Sequence, residues 1–216
     1  MTDTKQIDAA FVANTYTRFP LEIVAGKGSL VWDEMGKEYI DLGSGIAVTS
    51  FGIADEGWQQ AVCAQMAKVQ HMSNLYYTQP CTHLAQLLCE KTGMKKVFFS
   101  NSGAEANECA IKVARKYAAD KKGLDSAVIV TLNNSFHGRT LATLAATGQD
   151  HFHHDFGPLP TGLTYLEPGD LDAAKSFVKT QPVAAFCIEL VQGEGGVVPL
   201  DKDFVQGLAA LCKEQD

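Results

Sequence analysis

Residues 97–109 read Val-Phe-Phe-Ser-Asn-Ser-Gly-Ala-Glu-Ala-Asn-Glu-Cys, and the fold class is decided where the apolar run gives way to small polar residues and then to a helical pattern. Val97, Phe98 and Phe99 read as a buried strand reaching Ser100, since a short apolar run bounded by turn residues suits a strand covered on both faces. From Ala104 the apolar positions Ala106, Ala110, Val113, Ala114 and Tyr117 recur at helical spacing and predict a helix over residues 104–119. The turn Ser100–Gly103 therefore sits at a helix N-terminus, where free amides and the positive end of the helix dipole favour an anion. A phosphate there would be held mostly by backbone, although a plain structural βα turn has the same composition.

Working outward, strands are predicted at 97–100, 127–132 and 184–190, with helices at 104–119, 169–180 and 202–214. Apolar strands separated by helices imply an α/β fold with a parallel sheet covered on both faces. Ligands of such open sheets gather at the carboxyl ends of the strands. Residues 100–104, 133–139 and 192–196 lie at such ends. Upstream, residues 1–10 are polar and expected to be mobile. Ile23-Val24, Ser29–Trp32 and Glu38–Asp41 form a β-rich section, with a hairpin turn at Asp33-Glu-Met-Gly36. Trp58, Ala61, Val62, Met66 and Val69 mark one helix, and Leu84, Leu87 and Leu88 mark another that starts near Pro80.

The 216 residues are 46% hydrophobic and 20% charged, which suits a globular protein with a substantial core. The net charge of −7 is dispersed, and the basic pairs Lys95-Lys96 and Lys121-Lys122 stand at element ends, so nucleic acid is not an expected partner. No apolar run is long enough to span a bilayer and the first residues lack the pattern of a signal peptide; no membrane association and a cytoplasmic location are expected. Cys63, Cys81, Cys89, Cys109, Cys187 and Cys212 form no C-x-x-C pair and read as reduced core thiols. His151-Phe-His-His154 has no spaced second pair of ligands and reads as solvent-exposed, with no metal site expected. Gly43-x-Gly45 lacks the third glycine of a dinucleotide site.

Two further motifs follow the first in order: Ser135-Phe-His-Gly-Arg139 and Glu189-Leu-Val-Gln-Gly-Glu-Gly-Gly196. Together with Asn14-Thr-Tyr-Thr-Arg-Phe-Pro20 and His71-Met-Ser-Asn-Leu-Tyr-Tyr77, they resemble the class III (ornithine-type) aminotransferases, in particular the branch acting on acetylornithine. The resemblance covers almost the whole chain. It implies a fold-type I transferase that uses pyridoxal 5′-phosphate (PLP). Residues 1–50 would be the N-terminal segment of the small domain, and 51–216 the first part of the large, PLP-binding domain, with an incomplete parallel sheet.

By the same resemblance, Ser102, Gly103 and Ala104 form the phosphate loop, Phe136 stacks on the PLP ring, and His137 and Glu189 complete the cofactor side. Arg139, Tyr16 and Glu194 are the substrate-binding candidates, and Asn74, Tyr76 and Tyr77 lie in a segment near the cofactor and a dimer interface. The residue types suit those roles. An aromatic face supports a flat heterocycle, and a guanidinium grips a carboxylate through two parallel hydrogen bonds. Taken singly, Phe136 could be core packing, Arg139 a surface ion pair, and the setting of Glu194 a flexible turn. The family's glutamate matching Glu194 pairs with an arginine from the C-terminal part.

In the resembled family, a strand bearing Asp-Glu-Val-Gln and then a Ser-Lys segment follow the helix that begins near Asp203, whereas this sequence stops at Asp216. The pyridinium-pairing Asp and the Schiff-base Lys are therefore expected outside this chain, which would be an N-terminal portion, inactive alone, with no catalytic residue of its own. Ile53-Ala-Asp-Glu56 stands where the family has His-x-His-Pro, and Leu190 where proline is usual. Ile46 favours an acetylated donor over free ornithine. The implied reaction moves an amino group from N2-acetylornithine, or a related ω-amine, to 2-oxoglutarate in arginine biosynthesis, in a parent homodimer acting on amino-acid and 2-oxo-acid substrates. A noncatalytic module that binds PLP, phosphate or a partner is the alternative.

Overall fold

In the computed structural model, which describes residues 3–216, the chain divides into two units, residues up to Gln86 and Leu87–Asp216. The boundary falls inside a helix, Gln79–Thr92.

The first unit is built on Asp33. Its carboxylate accepts from the Met35 and Lys37 amides at 2.9 and 2.8 Å and from the Tyr39 hydroxyl at 2.8 Å. Those bonds close the expected 33–36 turn between β2 (Leu30–Asp33) and β3 (Glu38–Ile40), and β1 (Ile23–Lys27) pairs antiparallel on the other side of β2. Of residues 1–10, expected to be mobile, residues 4–10 belong to helix α1 (Thr4–Phe11), because the Asp3 side chain accepts from the Lys5 amide and caps it; residues 1 and 2 lie outside the described residues. A short turn, α2 (Ser44–Ala47), follows, then α3 (Glu56–Met66), capped by Asp55, and α4 (Gln79–Thr92). Gly45 and Ile46 take left-handed backbone angles, and the Ile46 side chain is exposed.

The second unit is an α/β sandwich. The central strand β4 (Val128–Leu132) lies between β5 (Leu163–Leu166) and β6 (Val183–Phe186), parallel to both, with Ile129 opposite Leu163 and Ala185. Its side chains alternate between two cores, as the strand period of two requires. Ile129 packs with Ile111 of α5 (Gly103–Lys122) and Ala146 of α6 (Leu141–Ala146). On the other face Leu132 packs with Ala174 of α7 (Leu171–Thr180) and with Phe204, Leu208 and Leu211 of α8 (Lys202–Gln215). Each such buried aliphatic side chain contributes about 1.5–3 kcal/mol. The three large helices match the expected spans, and both faces of the sheet are covered.

Three differences from the sequence reading have physical causes. Residues 97–100 are not a strand: they pair with no neighbour among the described residues, and Phe98 is 62% exposed. The strand predicted over 184–190 ends at Phe186, and the chain then turns into a two-strand ribbon, β7 (Val191–Gln192) with β8 (Val198–Pro199). The cysteines are free thiols, but only Cys187 packs against a described core, that of Ile111 and Ile129: Cys63, Cys81 and Cys212 are exposed and Cys89, Cys109 and Cys187 half-buried. No described helix is long and apolar enough to cross a membrane.

Candidate active site

Ser102 starts α5 by accepting from the Glu105 amide at 3.2 Å, and the Glu105 carboxylate folds back to accept from the Asn101 amide at 2.8 Å and the Ser102 hydroxyl at 3.2 Å. The arrangement is like a capping box except that the carboxylate reaches the amide of the residue before Ser102, and its Ser-x-x-Glu spacing was present in the sequence. Hydrogen bonds from Asn101, side chain and backbone, hold the Glu105 carboxyl below the ordinary carboxylate range, with Ser102 adding to the effect. The Ser102 hydroxyl is thus committed to the cap. The amides left without a partner among the described residues are those of Gly103 and Ala104, and a Cβ placed on Gly103 would meet no atom within 4 Å. Two amide donors without a partner at the head of a long helix could hold an anion.

The second motif is docked onto this helix start. Gly138, at φ +131°, lies so close that a Cβ there would come within 2.8 Å of the Ala104 Cβ and 2.6 Å of the Thr143 Oγ1. The Asn107 side chain donates to the His137 carbonyl at 2.8 Å, and the His137 amide donates to the Thr147 hydroxyl at 2.9 Å. Phe136 stands two residues before Gly138 in this docked loop, half-buried.

Glu189 ties in the third motif, not as a strand terminus but from the loop after β6. Its carboxylate accepts from the Phe136 amide at 2.9 Å and from the Gly193 amide at 3.4 Å. Asn134 donates to the Gly195 carbonyl at 2.9 Å, and Gln192, buried, donates to the Asn133 carbonyl at 2.9 Å. Phe136, His137 and Arg139 therefore lie in the loop that packs on the first turn of α5, and Glu189, Gln192 and Gly195 are hydrogen-bonded to that loop or to the two asparagines before it. Tyr16 belongs to the first unit, where it is exposed. Arg139 is exposed and makes no ion pair among the described residues; its guanidinium carbon lies 5.9 Å from the Phe136 ring centre and 5.7 Å from that of Phe152. Glu194 accepts from the Gln149 side-chain amide at 2.5 Å. Sequence reasoning missed Glu105, Gln149 and Phe152. Only the first had a local signal.

His137 is buried, its Nε2 has no hydrogen-bond partner among the described residues, and its Nδ1 meets the Cys187 thiol at 3.9 Å. It is hydrogen-bonded, as the sequence reading had it, through its backbone and Nδ1 but not through Nε2. Burial pushes the imidazole pKa down, and the Glu189 carboxylate offsets this only in part. Since the folded imidazole binds its proton less tightly than the unfolded one, the stability it contributes is complete above its unfolded value and is lost as pH falls through the folded one. Urea midpoints should fall from pH 7.5 to pH 5.5, by at most about 1.4 kcal/mol per pH unit for one proton. His137→Asn should flatten that dependence, and an unchanged slope would refute the assignment.

A family profile described as class-III aminotransferase matches residues 11–216. The acetylornithine aminotransferase of Haemophilus ducreyi is 50% identical over 212 residues, which are 98% of this chain and 54% of that protein. The succinylornithine transaminase of Citrobacter koseri is 45% identical over 197 residues, 91% of this chain and 48% of the relative. Among solved structures, the ornithine aminotransferase of Toxoplasma gondii ME49 superposes with a TM-score of 0.91 at 30% identity, covering 98% of this chain and 50% of that one. Another structure of the T. gondii enzyme records partial occupancy of PLP at its active site. The chain spans about half the length of the relatives it matches.

Proposed function

This chain belongs to the class-III aminotransferase family, and we propose that it carries the phosphate cup and the substrate carboxylate clamp of a PLP-dependent transfer of an amino group from N2-acetylornithine to 2-oxoglutarate, in arginine biosynthesis. The observation that carries the reading is the pair of free amides at Gly103 and Ala104, together with the packing of Gly138 on the Ala104 side chain, which docks the loop bearing Phe136 and Arg139 on the same helix start.

These residues suit the cofactor. The two amides would hold its phosphate, the Phe136 ring would support its flat face, and the unpartnered, buried Nε2 of His137 is a polar atom left for a group outside residues 3–216. When bound, PLP supplies the electron sink that lets an amine exchange with a carbonyl. The chain supplies orientation. Arg139 grips the carboxylate of donor and acceptor in turn. Glu189, fixed by the Phe136 and Gly193 amides, keeps the two loops at one spacing, and Glu194 sets a negative charge at the substrate side.

No lysine hydrogen-bonds or ion-pairs with Ser102, Phe136, Arg139, Glu189 or Glu194 among the described residues. As the family resemblance implies, we assign the covalent attachment of PLP to a lysine outside residues 1–216, and expect residues 1–216 alone to be inactive. The acetylated donor is favoured by the relatives and by Ile46. A cytoplasmic homodimer is the assembly we favour, supported by the exposed apolar side chains Leu42, Ile46, Val48 and Phe51 of the first unit. No contact with nucleic acid or membrane is assigned.

The test is PLP titration of the 216-residue chain followed by borohydride reduction and mass analysis. Weak, reversible binding that Phe136→Ala weakens further by about fivefold, with no labelled lysine, is expected. Stoichiometric attachment to one lysine, or turnover of acetylornithine with 2-oxoglutarate, would overturn the half-site reading. Equal binding of inorganic phosphate and PLP, with Phe136→Ala changing neither, would point to a phosphate-binding module instead.

A further inference from the structure

We infer that the segment Gln149–His153 is a positioning strap that sets both charged groups of the substrate side, Gln149 holding the Glu194 carboxylate and Phe152 holding the Arg139 guanidinium; this rests on the reading of Arg139 and Glu194 as substrate groups. The segment takes in the first three residues of the His151-Phe-His-His154 run that, as sequence, suggested only exposed histidines.

The Gln149 side-chain nitrogen donates both to Glu194 Oε2, at 2.5 Å, and to the carbonyl of Ser135, at 3.1 Å. Ser135 is fully buried, and its hydroxyl accepts from the Gly148 amide at 3.1 Å, so the amide of Gln149 is fixed from the core side before it reaches the glutamate. Glu194 has no cation partner among the described residues. Its charge is oriented by a neutral donor and remains available to a substrate amine.

A 3₁₀ turn over Asp150–Phe152 then swings Phe152 under Arg139. The Phe152 and Phe136 rings meet edge to face at 5.5 Å, and the guanidinium lies within 6 Å of both ring centres. Two aromatic faces attract and orient the cation while leaving its hydrogen-bonding fork unpaired, which is the state that a two-point grip on a carboxylate needs.

The strap is itself anchored. His153 Nε2 lies 3.0 Å from the Leu144 carbonyl and 2.8 Å from the Thr147 carbonyl, so it carries the proton and donates. The His153 ring stacks on Tyr165, whose hydroxyl donates to the Ala145 carbonyl at 2.6 Å. The half-buried His153 thus fastens the turn to α6, and the spacing between the Arg139 cation and the Glu194 anion is determined by one short segment.

The test is NMR on the isotope-labelled 216-residue chain, following the Arg139 Nε–Hε and Gln149 side-chain amide signals, with 2-oxoglutarate as probe. Ring currents should shift the Arg139 signal upfield in the wild type. Phe152→Leu and Phe152→Met should reduce that shift, leaving the contribution of Phe136, and weaken 2-oxoglutarate binding about twofold to fivefold. Phe152→Tyr should retain both, and Glu194→Ala should move the Gln149 signal. An Arg139 signal identical in wild type and Phe152→Leu, with the backbone spectrum intact, would overturn the inference, as would a Gln149 signal indifferent to Glu194→Ala. Should the Arg139 and Gln149 shifts respond as expected while 2-oxoglutarate leaves the wild-type Arg139 signal unmoved, the strap stands and the substrate reading fails.

Discussion

Gly138→Ala is expected to destabilise the second unit by about 2–5 kcal/mol and to remove the cofactor site with it. Two costs add. A φ of +131° strains any residue with a Cβ, at about 1–3 kcal/mol. The new methyl would also lie 2.6 Å from Thr143 Oγ1 and 2.8 Å from Ala104 Cβ, and neither neighbour can give way. Thr143 is fully buried and its hydroxyl accepts from the Thr140 amide at 3.0 Å to cap α6; Ala104 belongs to the first turn of α5. Relief would come from parting the loop from the helix, which separates Phe136 from the free amides. Urea unfolding measures the first consequence and PLP titration the second. Gly103→Ala is the control, because its Cβ enters open space; it should leave the urea midpoint within about 1 kcal/mol of the wild type. Equal losses in the two variants would refute the close-packing argument.

The contrast between those glycines shows where sequence reasoning reaches and where it stops. The start of α5 was legible because its signals are local: a small polar turn, the helical period from Ala106 to Tyr117, and Ser102 three residues before Glu105. The strand at 97–100 was misread, since an apolar run becomes a strand only when another strand pairs with it, and none does among the described residues. Strand β5 was overlooked for the opposite reason. Its four residues, Leu-Thr-Tyr-Leu, are half-buried throughout and show no clean alternation, yet Ile129–Leu132 gives them a parallel partner. In the site, the motif residues were legible and the residues that orient them were not. Gln149 has meaning only through Glu194, 45 positions away, and Phe152 only through Arg139 and Phe136, which no local spacing encodes.

Arg139→Ala, measured in the intact PLP-loaded aminotransferase, is expected to lower kcat/KM for both half-reactions by about a hundredfold, close to 3 kcal/mol. A carboxylate held by two charge-assisted bonds loses both, and the aromatic rings that held the guanidinium offer it no replacement donor. Arg139→Lys separates charge from geometry: the ammonium keeps the attraction but presents no planar fork, so a loss nearer tenfold is expected, expressed mainly as a raised KM for the 2-oxo acid. Because Arg139 is exposed and forms no ion pair among the described residues, both variants should unfold at the wild-type urea midpoint. A simple ω-amine without a carboxylate provides the decisive comparison. Its half-reaction has nothing for Arg139 to grip and should proceed at the wild-type rate in either variant. If the carboxylate-free amine suffers the same hundredfold loss, Arg139 acts on the cofactor or on the fold, and the clamp must be sought elsewhere in the site.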